Sequence, residues 1–270
     1  MIITDDCTNW FQTTTQPVDL TFLDPPFNQG KDYRLFDDNQ EQTTYWEFIK
    51  TTLTQIRQIT TEGGWLYFMQ REKNTEFVLR AIREAGWDLK NIIIWKKKTS
   101  AVPSNSKFGL HYQIIVSATK NKPRTFNKLR INPPLPATYK TPRENGIYLT
   151  DIWDDIRELT SGYFAGAEAI RTESGERAHK QQAPISLLTR IILSSSNPGD
   201  TVLDPFAGTG TTSATAQLLH RKPIAIEIDP TNTDLIKERP NQADRDTIKS
   251  IYNTYQCTKN LDQIWGNKES

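Results

Sequence analysis

Strand-like and helix-like segments alternate along both halves of this 270-residue chain. Residues 18–24 have the period-two polarity of a strand, and apolar residues over 46–56 recur at the spacing of one helix face. A buried strand over 65–69 and a second amphipathic helix over 77–85 follow. Strands that alternate with helices of this length predict an α/β fold, with a mostly parallel, twisted sheet and helices on both faces.

A proline-rich stretch interrupts this alternation. Residues 120–178 contain five prolines before residue 143 and show little periodicity, which is typical of an insertion. The alternation resumes with a helix over 185–195. We therefore expect 1–119 and 179–270 to form the two halves of one α/β domain, with 120–178 inserted between them.

Composition excludes several classes of protein. The longest apolar runs, such as residues 92–95, are far too short to cross a bilayer, and the N-terminal residues do not have the pattern of a secretory signal. Two cysteines and three histidines, without a CxxC motif, argue against a disulfide framework or a structural zinc site. We expect a protein of the reducing cytosol that needs no metal.

The charged residues are distributed unevenly. From Lys90 to Arg143, 54 residues include 12 of the 33 Lys and Arg residues and none of the 32 Asp and Glu residues. A lysine-rich solvated face is the simplest interpretation of a charge run, but ordinary surfaces mix both signs. A stretch of this length without a carboxylate favours a polyanion, above all nucleic acid, as the partner.

The first motif is Asp24-Pro25-Pro26-Phe27, at the carboxyl end of a predicted strand. Ligands of open α/β sheets bind at that edge. The prolines have no N–H group, so the backbone offers rigid carbonyl acceptors beside the Asp24 carboxylate and the flat ring of Phe27. Such a set suits a planar group that carries an NH₂. By itself, the Asp-Pro-Pro sequence is better interpreted as the turn of a loop.

The second motif is a strand, a glycine loop and a helix over residues 203–212, followed by a strand that ends at Glu227. Gly208 and Gly210 allow close approach of the backbone to a ligand. Ser213 occupies the place of the third glycine of a dinucleotide loop, and no phosphate-binding lysine follows. Glu227 is placed to accept both ribose hydroxyls, so the unit favours a nucleoside cofactor without a pyrophosphate.

These two motifs resemble those of the β (permuted) group of S-adenosylmethionine-dependent DNA amino-methyltransferases. Residues 23–33 resemble the catalytic motif of that family, and residues 197–230 resemble its cofactor motif. The catalytic motif comes first by about 180 residues, which is the permuted order of this group. The resemblance implies a circularly permuted Rossmann-like methyltransferase fold in which 120–178 is a target-recognition region.

The resemblance also implies roles for individual residues. Asp24, Pro25, Pro26 and Phe27 would be catalytic, with Phe27 stacking on the target base. Cofactor contacts would come from Asp6, Cys7, Asp24, His179, Asp204, Phe206, Ala207, Gly208, Gly210, Thr211, Thr212, Glu227 and Ile228. The family has Gly where this chain has Asp5 and Lys where it has Ala183, so one lysine contact is absent.

Double-stranded DNA is the partner that these features imply. Basic residues would bind phosphates, and some arginines would read guanines in the major groove. The candidates are Lys31, Lys96, Lys97, Lys98, Lys107, His111, Lys122, Arg124, Lys128, Arg130, Lys140 and Arg143. For His111, an ordinary histidine at a strand end is an equally good interpretation. Further partners that the sequence leaves open are a second copy of the chain and a cognate restriction endonuclease.

The choice of target base rests on the first residue of the catalytic motif. Asp-Pro-Pro-Phe is associated in the family mostly with the N6 amine of adenine, so we expect this target, flipped out of the duplex. The alternative is the N4 amine of cytosine. A protein or small-molecule methyltransferase is a weaker alternative, since it does not require the basic stretch. A DNA-binding relic without activity is also weaker, since the motif residues are intact.

Overall fold

The computed structural model describes residues 1–99, 102–132, 144–159, 168–170 and 182–266. The candidates His179, Lys140 and Arg143 lie outside these residues. The elements up to residue 119 are β1 (Ile2–Thr4), α1 (Cys7–Thr13), β2 (Val18–Leu23), β3 (Asp32–Tyr33), β4 (Phe36–Asp37), α2 (Gln42–Ile59), β5 (Thr60–Arg71), α3 (Thr75–Glu84), β6 (Asp88–Lys96) and β7 (Tyr112–Thr119).

The remaining elements complete the sheet and one of its helical layers. They are β8 (Arg130–Ile131), β9 (Ile147–Tyr148), β10 (Ile152–Trp153), α4 (Ile185–Ser195), β11 (Thr201–Asp204), α5 (Thr211–Leu218), β12 (Lys222–Glu227), α6 (Pro230–Lys237), α7 (Gln242–Tyr252) and α8 (Leu261–Trp265). None of the described helices combines the length and the apolar composition needed to cross a bilayer.

Eight of the described strands form one sheet in the order β1-β12-β11-β2-β5-β7-β6-β10. All neighbours pair in parallel except those of β7, which runs antiparallel to both β5 and β6. The α/β fold class is confirmed. The permuted order is also visible, because β11 of the second half pairs directly with β2 of the first half, with Val202 opposite Leu20.

Alternation along the central strands supplies a core on each face of the sheet. Leu20 and Phe22 of β2 face α4, α7 and α8, together with Trp65 and Tyr67 of β5. The intervening residues, such as Leu66, face α1, α2 and α3. These strands are buried on both faces, which explains their nearly continuous apolar sequences.

The predicted insertion over 120–178 is not separate from the domain throughout. Residues 152–153 form β10, which pairs in parallel with β6 and becomes the eighth strand of the main sheet. The sequence did not predict this strand, because two residues are too few to leave a periodic signal. The bounds of the insertion stay a prediction. The role of the rest of 120–178 in target recognition stays a prediction.

A buried ion pair fixes the second half below the glycine loop. The Arg239 Nε and Nη2 atoms donate to the two Asp244 carboxylate oxygens at 2.9 and 2.6 Å, and both side chains are almost fully buried. Arg239 Nη1 donates to the carbonyl oxygen of Thr209 at 2.9 Å. Asp244 also closes the capping box of α7 with Asn241. One guanidinium thus joins the loop between β11 and α5 to the start of α7.

We expect Asp244→Asn to lower the free energy of unfolding by about 3–5 kcal/mol, because it leaves the buried Arg239 charge unpaired. The matched control is Asp234→Asn in the exposed Lys237–Asp234 pair of α6, which should change it by less than about 1 kcal/mol. Urea unfolding followed by circular dichroism measures both values. Equal effects of the two substitutions would contradict the structural role of Arg239.

Candidate active site

A cleft opens at the carboxyl ends of the central strands, where β2, β11 and β12 end side by side. It encloses a cavity of about 290 Å³. Asp24, Pro25 and Pro26 line it from the first half of the chain, and the glycine loop and Glu227 line it from the second half. Every residue that the sequence predicted to bind a cofactor lines this cavity, apart from Gly210 and the undescribed His179. Residues more than 180 positions apart therefore share one site.

Two carboxyl groups lie close to each other in this cleft. β11 ends at Asp204 and pairs with β2, and Asp24 follows the end of β2. Burial raises the pKa of Asp24 well above its usual range, the charge of Asp204 raises it further, and Lys97 and Lys31 act in the opposite direction. Burial raises the pKa of Asp204 to about 7, against hydrogen bonds from Thr212 and from the Phe206 amide.

The glycine loop packs closely against its neighbours. Gly208 and Gly210 have φ values of +52° and +74°, in the left-handed region that favours glycine. A Cβ atom at Gly210 would lie 2.9 Å from the Ile236 side chain of α6. Gly210 therefore allows α5 to pack against α6, which explains why it does not line the cavity.

Glu227 occupies the rim of the cleft at the end of β12. Its Oε2 accepts from the Gly208 amide at 2.8 Å, and its Oε1 accepts from the Asp229 amide at 2.9 Å. The side chain is 8% exposed, and burial raises its pKa. Asn232 Nδ2 also donates to Oε1, at 3.3 Å. Oε2 keeps a lone pair that no described group occupies, so the carboxylate can accept a hydrogen bond from a ligand hydroxyl.

The N-terminal residues reach the same site through β1, which pairs with β12. The Asp6 carboxylate caps α1 by accepting from the Thr8 amide at 2.8 Å. Cys7 is buried beside it, and burial raises the pKa of its thiol to about 12, so this thiol is inert at neutral pH. Both residues line the cavity.

The hairpin formed by β3 and β4 supplies a wall of the cavity that the sequence did not predict. Tyr33, Arg34 and Phe36 line the cavity, and Arg34 Nη2 lies 3.1 Å from Asp229 Oδ1 across the cleft. Buried Asp38 accepts from three backbone amides of the preceding loop, including that of Lys31. The signal available in the sequence was Asp38 itself, a carboxylate shortly after the Gly30 turn.

Comparison with known proteins decides the family. A family model described as DNA methylase matches residues 18–238. The DNA adenine methyltransferase YhdJ of Escherichia coli (strain K12) is 30% identical over 272 residues, covering 93% of this chain and 84% of YhdJ. The chain belongs to the DNA methylase family.

Solved structures share the fold of this methylase. The M1.HpyAVI–SAM complex has a TM-score of 0.61 at 20% identity, covering 89% of this chain and 98% of that chain. The PvuII DNA methyltransferase, described as cytosine-N4-specific, has a TM-score of 0.62 at 16% identity, covering 99% of this chain and 93% of that chain.

The four residues of the catalytic motif do not all face the cleft of this methylase. Phe27 is 3% exposed and packs in the core on the α4 side of the sheet, and it does not line the cavity. The Tyr45 hydroxyl donates to the Pro26 carbonyl at 2.7 Å and accepts from Gln70 Nε2 at 3.0 Å. The turn is therefore fixed from α2 and β5, and stacking of a base on Phe27 would require the ring to move.

The basic stretch is divided between two opposite edges of the sheet. Lys96, Lys98 and Lys107 are exposed at the edge where Asp24 lies, because β6 ends there. The antiparallel strand β7 then carries the chain to the other edge, where Arg124 Nη2 pairs with Asp19 at 3.1 Å and with Asp200 at 2.9 Å.

Lys122 and Arg124 lie far from the edge of the sheet at which Asp24 lies. The distance is about 26 Å, the length of the eight-residue strand β7. Arg130 stacks on the Tyr148 ring at 3.9 Å and donates to the Asn145 carbonyl within the β8–β9 hairpin, and Lys128 is exposed before it. Their DNA contacts stay predictions.

Lys97 differs from its neighbours Lys96 and Lys98. Its Nζ lies 3.2 Å from the centroid of the Trp95 ring and donates to the Gln113 side chain. Burial lowers the pKa of Lys97 to about 7, although Glu158 and Asp24 act in the opposite direction. The Lys97 ammonium group therefore points into the site, unlike the exposed ammonium groups of Lys96 and Lys98.

Among the described residues, no group of three or more His, Cys, Asp or Glu side chains could hold a metal ion.

The raised pKa of Asp204 predicts a pH dependence of stability. Its pKa is about 7 in the folded protein and about 3.8 when unfolded, so the folded state binds the extra proton between these values. The contribution of Asp204 to stability therefore falls as the pH rises from 4 to 7. We expect Asp204→Asn to remove this contribution, so that its free energy of unfolding relative to wild type rises over that range by about 3 kcal/mol.

Urea unfolding at pH 4 to 8 tests this expectation. The exposed variant Asp234→Asn is again the control, and its difference from wild type should stay constant over the same pH range. A difference between Asp204→Asn and wild type that does not change with pH would contradict the raised pKa.

Proposed function

We propose that this methylase transfers a methyl group from S-adenosylmethionine to the N6 amine of adenine in double-stranded DNA. The observation that carries the proposal is the shared cleft, in which Asp24 faces the same cavity as Gly208 and Glu227. The name of YhdJ, a DNA adenine methyltransferase, supports the choice of substrate. Membership of the DNA methylase family favours DNA over the protein and small-molecule substrates that the sequence left open.

The lining of the second half fits an adenosyl group. The Glu227 carboxylate offers acceptors for ribose hydroxyls, and Phe206 and Ile228 offer apolar surface for a purine ring. Residues 204–212 do not form a phosphate cradle, and this cofactor has no phosphate. The donors and acceptors that are present therefore match the chemistry of S-adenosylmethionine.

When it is bound, S-adenosylmethionine supplies an electrophilic methyl group on its sulfonium. The residues of the chain must orient the amine towards this methyl group, because the lone pair of the amine is delocalised into the base. The Asp24 carboxylate accepts one N–H hydrogen bond and the Pro25 carbonyl accepts the other, which localises the lone pair on the nitrogen. Acceptors held in place in a partly dry site stabilise the positive charge that develops there.

Proton transfer completes the reaction. The amine nitrogen carries one proton too many once its new bond to carbon has formed. Asp24 accepts a hydrogen bond from that nitrogen, and burial together with the neighbouring Asp204 raises its pKa. A carboxylate with a raised pKa is a better proton acceptor than an ordinary one, so Asp24 takes the proton and passes it to solvent.

Separate variants distinguish the roles of the two halves of the cleft. We expect Asp24→Asn to reduce kcat by at least about 100-fold, because the amide cannot take up a proton. We expect Glu227→Gln to weaken binding of S-adenosylmethionine about tenfold or more, because a charge-assisted hydrogen bond contributes about 1.5–3 kcal/mol. Calorimetric titration and methyl-transfer kinetics on both variants measure the two effects. Wild-type rates for Asp24→Asn would show that the assigned mechanism is wrong.

The N4 amine of cytosine is the second candidate target. The observation that favours it is the fold shared with the cytosine-N4-specific PvuII enzyme over 99% of this chain. Nucleoside mass spectrometry of DNA from cells that express the protein decides between the two amines. We expect N6-methyladenine to rise, and a rise in N4-methylcytosine alone would overturn the choice of adenine.

The cellular setting stays a proposal. A cytoplasmic location, a homodimer and a cognate restriction endonuclease agree with a DNA-modifying enzyme, and the endonuclease would cleave the same sequence when it is unmethylated. Relatives such as the type II methyltransferase M.HinfI of Haemophilus influenzae, 29% identical over 255 residues, support the link to restriction.

A further inference from the structure

One aromatic side chain is almost entirely exposed to solvent at the edge of the sheet where Asp24 lies. Phe108 is 94% exposed in residues 102–111, which we name the Phe108 loop. The loop leads into β7 at the edge where Asp24 lies, and β7 is two strand positions from β2. Two strand spacings amount to about 10 Å along the sheet. Phe108 comes four residues before β7, so its exposed ring belongs to a loop at the same edge of the sheet as Asp24.

The end of β6 is joined to the end of this loop. The Lys97 amide donates to the His111 carbonyl at 2.8 Å. Glu158 accepts from the amides of Lys98 and Thr99, at 2.8 Å each, and from the Thr99 hydroxyl. Nearer the tip, the Ser104 amide donates to the Lys107 carbonyl at 3.0 Å in a turn directly before Phe108.

The charges around the loop favour a polyanion as its partner. Lys96 and Lys98 at its base and Lys107 beside the ring are all exposed. No Asp or Glu occurs from Lys90 to Arg143, so the loop itself carries no carboxylate that would repel phosphates. The carboxylate of Glu158 is held by the backbone amides of Lys98 and Thr99. An exposed apolar ring next to Lys107 suits the base stack and the backbone of a duplex better than the apolar surface of a second protein.

We propose that Phe108 is the wedge that enters the DNA stack and occupies the space vacated by the flipped target base. This inference rests on the proposed function and extends it, because it assigns a residue to the opening of the duplex. Apolar side chains such as Phe insert between base steps in other proteins, at a cost of a few kcal/mol in lost stacking. Here the ring replaces the stacking that the flipped base loses, while Lys107 holds the adjacent phosphate.

The test compares a duplex in which base pairs must be broken before the target base flips with a duplex in which the target base is already unpaired. The methylation site is first mapped in DNA from cells that express the wild type. One duplex carries that site fully paired, and a second has an abasic position opposite the target base, which removes the pairing. We expect Phe108→Ala to lower kcat/KM on the paired duplex at least about tenfold and to come close to wild type on the abasic duplex. Phe108→Trp should restore most of the loss.

A second measurement reports flipping without methyl transfer. A duplex with 2-aminopurine at the target position, or pyrrolocytosine for a cytosine target, fluoresces more when that base leaves the stack. We expect Phe108→Ala to reduce the fluorescence increase at saturating protein. Leu89→Ala is the control and should leave the increase unchanged, because Leu89 is also exposed (47%) but lies at the start of β6, on the edge opposite to Asp24.

Three results would overturn the proposal. The first is an unchanged kcat/KM of Phe108→Ala on the paired duplex, and the second is an equal loss of kcat/KM on the paired and the abasic duplexes. The third is a change in the oligomeric mass of Phe108→Ala by sedimentation, which would make the loop a contact between copies of the chain. A wild type that methylates none of the duplexes would refute the proposed function instead, so the two failures can be told apart.

Discussion

The parallel pairing of β11 with β2 is the contact on which the site depends. It is short, with Val202 opposite Leu20 and Leu203 opposite Thr21, yet it places the ends of both strands at one edge. Asp24 continues from one end and the glycine loop continues from the other. Because these strands are buried between helices on both faces, a shift of one residue would expose their apolar side chains, so the register is strongly fixed.

Burial of carboxyl groups in this cleft lowers the stability of the folded protein and makes these groups better acceptors of hydrogen bonds and protons. Asp24, Asp204 and Glu227 all have raised pKa values, each with burial as the largest cause. A cluster of buried carboxyl groups is unfavourable in a folded domain and is typical of sites that have to accept hydrogen bonds or protons. The cationic side chains of Lys31 and Lys97 offset part of this cost at Asp24.

The direction of β7 divides the basic stretch between the two edges of the sheet. In sequence, Lys96 to Arg130 are part of one carboxylate-free segment. Because β7 runs antiparallel to its neighbours, the chain enters it at the catalytic edge and leaves it at the opposite edge. Lysines before β7 can therefore meet a duplex over the cleft, whereas Arg124 after β7 forms ion pairs with Asp19 and Asp200.

The sequence by itself determined the alternation of strands and helices, the two motifs and the permuted order, since these depend on local periodicity and on residue types at fixed spacing. Tertiary structure alone decided what depends on distant contacts. It buried Phe27 in the core, turned Lys97 inward over Trp95, added residues 152–153 to the sheet and built a cavity wall from the β3–β4 hairpin. The burial of Phe27 and Lys97 is set by neighbours that lie far away in the chain, and no local pattern encodes those neighbours.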